Sequence, residues 1–147
     1  MIICDLDGTL ADCQHRRYLV EGKKKNFEQF YDACHADTVI RPVLAVVIQF
    51  TDCDYPVELV IVTGRPERTR AMTEAWLKQH CDLRPEEYRM YMRPDKDNRA
   101  DDIIKQEILD KFLDKDKILF VLDDRQRVVD MWRRNGVTCF QVAPGQF

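Results

Sequence analysis

The sequence predicts an α/β protein, a five-stranded and mostly parallel sheet flanked by helices, and three observations carry that expectation. Short apolar runs alternate with longer segments of helical periodicity through the 147 residues. The runs are continuously apolar, as in strands buried on both faces of a parallel sheet, and do not alternate. The first and fourth runs end in closely spaced aspartates, C-D-L-D-G-T and V-L-D-D-R.

In chain order, Ile2–Asp5 is the first strand. Pro42–Thr51 reads as a buried helix with proline in its first turn, where a missing N–H costs nothing. Glu58–Thr63 is the second strand, Pro66–His80 a helix, and Tyr88–Met92 a third strand. Arg99–Leu113 is a helix with Ile103, Ile104, Ile108 and Phe112 on one face. Lys117–Leu122 is the fourth strand, Gln126–Arg134 a helix ending at Asn135-Gly136, and Thr138–Val142 the fifth strand. Without repeat, low-complexity tract or linker, residues 1–147 are expected to form one domain.

Residues 11–41 interrupt the rhythm. Within them Phe27, Phe30, Tyr31 and Cys34 fall at i, i+3, i+4 and i+7, a short amphipathic helix. Such a stripe ordinarily docks onto a core. Here it hangs from the carboxyl rim of the sheet, where open α/β sheets bind ligands, so the segment is a candidate cap over a site.

Composition narrows the function classes. Hydrophobic residues at 45% and charged residues at 33% describe a globular protein. A formal charge of −3 argues against coating nucleic acid along its length, though not against handling a strand end. Six cysteines without a C-x-x-C pair make a zinc knuckle an unfavoured reading, and nothing resembles a signal peptide; reduced thiols and a cytoplasmic location are expected. No apolar run reaches the roughly 18 residues of a membrane helix, so no membrane partner is expected.

Side chains alternate along an extended chain, so Asp5 and Asp7 point to one side while Leu6 points to the other. Neighbouring buried carboxylates are costly unless a cation offsets them. The second strand runs into T-G-R-P-E, where the Thr63 hydroxyl, the Gly64 amide and the Arg65 guanidinium precede a helix expected to open at Pro66, a natural anion site. Asp123 and Asp124 close the fourth strand, and Lys105 stands early in the helix before it. Taken singly, each has a plain reading: a polar turn, a solvated arginine, a surface lysine.

Together, D-x-D-G-T, Thr63, Lys105 and D-D resemble the haloacid dehalogenase (HAD) superfamily in kind and order. The stretches A-D-T-V-I-R-P-V, R-A-D-D-I-I-K-Q-E-I and the whole ending from D-D-R-Q-R are similar to the 3′-phosphatase domain of T-even bacteriophage polynucleotide kinase/phosphatases. That resemblance implies a Rossmann-like strand order 3-2-1-4-5. It implies Asp5 as nucleophile, Asp7 as acid and base, and Thr63 and Lys105 on the transferring phosphoryl group. Mg²⁺ would be held by Asp5, the Asp7 backbone carbonyl and one or both of Asp123 and Asp124. Arg16, Arg65 and Gly64 would contact substrate. The implied substrates are 3′-phosphate ends of DNA or RNA, with a separate kinase or ligase as a possible partner, in a host cytoplasm if phage-encoded. No G-x-x-x-x-G-K-[ST] loop occurs, so 5′-phosphorylation is not expected of these residues.

A HAD nucleotidase or small-molecule phosphatase would carry the same motifs. The cluster Arg16, Arg17, Lys23, Lys24 and Lys25 against Glu21 favours a polyanion. A phosphoacceptor signalling module would need its acceptor aspartate after the third strand, and the segment 88–94 holds none.

Overall fold

The computed structural model describes residues 1–145; Gln146 and Phe147, which close the quoted ending, lie outside the described residues. Strand β1 (Ile2–Cys4) leads into an insertion that holds β2 (Ala11–Asp12), α1 (Phe27–Asp32) and β3 (Thr38–Val39). Then follow α2 (Arg41–Thr51), β4 (Leu59–Pro66), α3 (Arg70–Cys81) and β5 (Tyr88–Arg93). The chain continues with α4 (Asp101–Phe112), β6 (Phe120–Arg125), α5 (Gln126–Arg134) and β7 (Cys139–Gly145). The main sheet has five strands in the order β5-β4-β1-β6-β7, and every pairing in it is parallel. This is the order 3-2-1-4-5 expected for the core strands.

Strand alternation sorts the core into two halves. Ile2, Cys4, Leu59, Ile61, Phe120 and Leu122 pack with residues of α2 and α3. Ile3, Val60, Val62 and Val121 pack on the other face with residues of α4 and α5. The result is a three-layer sandwich, helices on both sides of a sheet buried throughout. In α4 the buried residues are Ile104, Lys105, Ile108 and Leu109. The expected stripe was offset: Ile103 and Phe112 are about half exposed, at 47% and 55%. The face toward the sheet therefore includes a lysine.

Three boundaries move in ways that matter for function. Strand β4 continues through Thr63-Gly64-Arg65-Pro66, and the helix after it begins only at Arg70, behind a single turn of Glu67–Thr69. Pro66 does not open a helix, so no helix N-terminus stands at the T-G-R turn. Strand β6 likewise includes Asp123, paired with Gln141, and Asp124, which sits at a register shift where its carbonyl accepts from the Gln141 side chain. The insertion is more than a helix: β2 and β3 pair antiparallel at its base, Ala11 with Val39 and Asp12 with Thr38. Its own apolar cluster is small, Cys13, Val20 and Phe30.

Ile61 is fully buried in the central sheet, so Ile61→Ala should lose about 2–5 kcal/mol in chemical denaturation. A loss below about 1 kcal/mol would mean the site collapses around the deleted atoms, against the packing described.

Candidate active site

Asp5 follows the last residue of β1 and carries the parity of Ile3, so its side chain turns toward the α4 layer. The chain then winds tightly. The Leu6 carbonyl accepts from the amides of Thr9, Leu10 and Ala11 at 3.0, 2.9 and 2.8 Å, and Gly8 adopts φ 87°, open to glycine at little cost. Glycine is required here on a second count: a Cβ at position 8 would collide with the Asp124 carboxylate. Thr9 Oγ1 donates to Asp124 Oδ1 at 3.4 Å.

Asp123, with the parity of Val121, faces the same layer from the neighbouring strand. Lys105 reaches both, its Nζ lying 3.0 Å from Asp5 Oδ1 and 2.7 Å from Asp123 Oδ2. Asp5, Asp123 and Asp124 are all buried and offer carboxylate oxygens within 4.8 Å of one another. One ammonium thus binds two of three crowded carboxylates. Burial, then the neighbouring Asp123 and Asp124, push the Asp5 carboxyl well above the ordinary carboxylate range despite Lys105. Burial and Asp123 push Asp124 up to about 6. Lys105 loses solvation, yet Asp123 and Asp5 hold its ammonium charged. A divalent cation would supply the missing charge, and three hard oxygen donors beside a turn are a donor set suited to Mg²⁺.

Asp7 belongs to a different network. Its Oδ1 accepts from Arg16 Nη2 at 2.5 Å, Arg65 Nε at 2.9 Å and Arg65 Nη2 at 2.6 Å. Both guanidinium groups also bind Asp37 Oδ2, at 2.6 Å from Arg16 and 2.8 Å from Arg65. Two arginines and two aspartates form a neutral, buried quartet. Burial opposes the charge on Asp7, but Arg65 and Arg16 outweigh it and hold the carboxyl down at about 2. All three bonds fall on Oδ1, and the metal role that the resemblance implies is that of the Asp7 backbone carbonyl. Arg16 also stacks on the Phe30 ring at 4.0 Å and donates to the Phe30 carbonyl, tying α1 to the rest of the insertion.

Above Asp5 and Asp7 opens a cavity of about 390 Å³. Lys105 and Gly64 line it, but Thr63, Arg16 and Arg65 do not. Thr63 is fully buried and its Oγ1 accepts from the Arg65 amide at 3.2 Å. The sequence reading thus names a site whose members fall in two shells. Asp5, Asp7, Gly64 and Lys105 meet the cavity; Arg16, Arg65 and Thr63 lie behind it. Of the basic run in the insertion, Arg16 is internal, Arg17 pairs with Glu21 at 3.4 Å, and Lys25 lines the cavity.

The cavity's remaining cations went unread in the sequence: Arg93, Arg99, Arg125 and Arg127. Arg93 and Arg125 both bind Asp101. Asp101 lies directly against Gly64, where a Cβ would come within 2.6 Å of its Oδ1. Asp37 was also missed, although it is 1% exposed and anchors both buried arginines. The only local signal for Asp101 was its place one turn before Lys105.

Comparison with known proteins agrees with this geometry. All of residues 1–147 match the family described as the phosphatase domain of polynucleotide kinase PNKP. A chain solved in the Pnkp1/Rnl/Hen1 RNA repair complex superposes with TM-score 0.78 at 33% identity, over 99% of this chain and 43% of that one. A second Pnkp1/Rnl/Hen1 structure gives TM-score 0.74 at 34% identity, over 99% and 46%. This chain therefore spans less than half the length of those relatives. CbbY from Rhodobacter sphaeroides, solved with phosphate, shares the fold at TM-score 0.63 and 13% identity, over 94% of this chain and 83% of that one. A HAD-type fold, an aspartate cluster at its carboxyl rim and a match along the whole sequence lead to one conclusion: the chain belongs to the family of polynucleotide kinase PNKP phosphatase domains, which are phosphomonoesterases.

Proposed function

We propose that this chain is a Mg²⁺-dependent polynucleotide 3′-phosphatase acting through an aspartyl phosphate on Asp5. The observation that carries the reading is the Asp5 carboxylate itself. It lines the cavity, at 3.0 Å from Lys105, in a cluster of three buried carboxylates. Mg²⁺, held by Asp5, Asp123, Asp124 and the Asp7 carbonyl, would offset the charge that repels an incoming phosphate.

The chain's own residues then do the rest. An Asp5 oxygen forms a bond to phosphorus as the bond from phosphorus to the 3′-oxygen breaks. Lys105 and the Gly64 backbone lie where they can hold phosphoryl oxygens during that displacement. The departing 3′-oxygen takes a proton, and water then attacks phosphorus to release inorganic phosphate and restore Asp5. Asp7 suits the second step as it stands, because an ionised carboxylate can accept the water's proton. For the first step it must carry a proton, which the two arginines oppose. Arg16 and Arg65 in this arrangement position Asp7, and they would act on substrate only by leaving it. Thr63 shapes the turn from behind.

Arg93, Arg99, Arg125 and Arg127 around the mouth supply the positive rim that a polynucleotide requires. The likeness to a component of an RNA repair complex supports a polynucleotide end as substrate, and separate kinase or ligase enzymes as partners. Among the described residues no helix is long and apolar enough to cross a membrane. A cytoplasmic setting suits this reading.

Phosphate release should be fastest from 3′-phosphorylated DNA or RNA, slower from free 3′-nucleotides, and negligible from 5′-phosphorylated oligomers. A preference for free mononucleotides would make the chain a nucleotidase instead. Asp5→Asn should lower turnover more than about 10³-fold while leaving the thermal midpoint near wild type. Retention of even a tenth of the activity would exclude the covalent route.

Stability should reveal the metal independently of turnover. The raised Asp124 stabilises the metal-free fold when protonated; that contribution, about 2–3 kcal/mol, is full below pH 4 and lost as pH rises through about 6. The depressed Asp7 works oppositely, contributing above pH 4 and losing its effect as pH falls toward 2. In chelator, melting temperature should therefore decline between pH 5 and 7, and Mg²⁺ should restore it. Asp124→Asn should melt higher than wild type in chelator at pH 8 and gain less from Mg²⁺. A melting temperature indifferent to Mg²⁺ at pH 8 would remove the metal from the proposal.

A further inference from the structure

The cavity has an apolar wall that phosphate chemistry does not explain. Val20, Phe27, Phe30 and Tyr31 of the insertion form it, opposite the arginine rim. Phe30 is accounted for, since it is buried at 4% exposure beneath Arg16. Phe27 is not. It shares the apolar stripe of α1 yet remains 48% exposed at the mouth of the cavity. An exposed aromatic ring is by itself ordinary on a protein surface. This one has company: the Tyr31 ring lies 6.4 Å away at an interplanar angle of 28°, and Lys25 Nζ stands 5.9 Å from the Phe27 centroid. Tyr31 faces inward, its hydroxyl pushed up to about 12 by burial and by the nearby Asp101.

An exposed aromatic ring stacked on a second, with a cation at its edge and arginines lining the same cavity, is the surface a stacked base and its phosphodiester need. We propose that Phe27, backed by Tyr31, is a stacking platform for the nucleobase of the terminal nucleotide whose 3′-phosphate enters the cavity. This rests on the polynucleotide reading above and deepens it: the platform would distinguish nucleotides from sugar phosphates without reading base identity, because every base offers a π-face. Arg127, which also lines the cavity and stands 3.9 Å from Asp102, would hold the next phosphodiester, while Arg99 is already held by Asp97 and Glu107. Stacking of this kind acts equally on bound substrate and transition state, so it should appear in KM with kcat little altered.

The test compares two oligonucleotides with a 3′-terminal phosphate, alike except that one ends in a normal nucleotide and the other in an abasic one. For the wild type, kcat/KM should favour the base-bearing oligomer by about 5- to 100-fold, the range expected for one stacked base. In Phe27→Ala that ratio should fall to within about twofold of unity through a rise in KM, and Phe27→Tyr should restore it. Binding can be followed without turnover in the Asp5→Asn background: 2-aminopurine placed at the 3′ terminus should be quenched, and the quenching should vanish when Phe27→Ala is added. An unchanged ratio in Phe27→Ala would overturn the platform, as would an equal loss on both oligomers, which would make Phe27 a structural residue of the insertion. Failure of the underlying reading looks different. A wild type that cleaves small phosphate esters but neither oligomer would refute the polynucleotide assignment, and the platform with it.

Discussion

One ammonium group among three carboxylates is the constraint on which the site depends. Lys105 binds Asp5 and Asp123 and cannot also neutralise Asp124. The sheet imposes this crowding, since β1 and β6 are neighbours and Asp5 and Asp123 share a parity facing α4. Burial magnifies the repulsion because the low local dielectric weakens screening. The fold thus holds a deficit of positive charge at the point where a phosphate monoester must arrive. An anion would be repelled from such a floor, and a bound divalent ion would offset that charge.

The second network settles a different question, how the insertion and the sheet are joined. Arg16 comes from the insertion, Arg65 from the end of β4, Asp7 from the turn after β1, and Asp37 from the segment just before β3. Trp76 of α3 adds a hydrogen bond to the Asp37 carbonyl at 2.8 Å. Four chain segments and a helix thereby meet around charges that cancel. Breaking such a buried quartet by removing one member strands the others, which costs more than the pairs add when intact.

Much of this was legible in the residues. The continuous apolar runs identified the core strands, and their carboxyl ends identified the acids. What escaped was whatever depends on distant partners. Lys105 by itself looks like any surface lysine and is named only through the resemblance; strand parity supplies the reason by placing carboxylates beneath its helix. Asp37 pairs with Arg16 and Arg65 across 21 and 28 residues, a separation with no local pattern. The β2–β3 ribbon has two residues per strand, too few for alternation to show. Pro66 suggested a helix start, but its ψ of 151° keeps it extended, so the turn behind it displaces the helix by four residues. The four arginines at the mouth come from β5, β6, α5 and the loop before α4, and only folding gathers them.

The way the insertion is fastened bears on how such domains can be rebuilt. With an apolar cluster of Cys13, Val20 and Phe30, residues 11–41 have little core of their own, and they join the sheet through Ala11, Val39 and Ile40 at the base and through buried ion pairs. Half of the ionic junction, Arg65 and Asp7, belongs to the host. A designer exchanging this insertion for another would have to transplant Arg16 and Asp37 together and find a recipient that already presents their counterparts. A loop swap that matched length and hydrophobicity alone would leave the Arg65–Asp7 pair stripped of Arg16 and Asp37, at the edge of the cavity. Modularity here is limited by charge balance, and chain connectivity is the lesser obstacle.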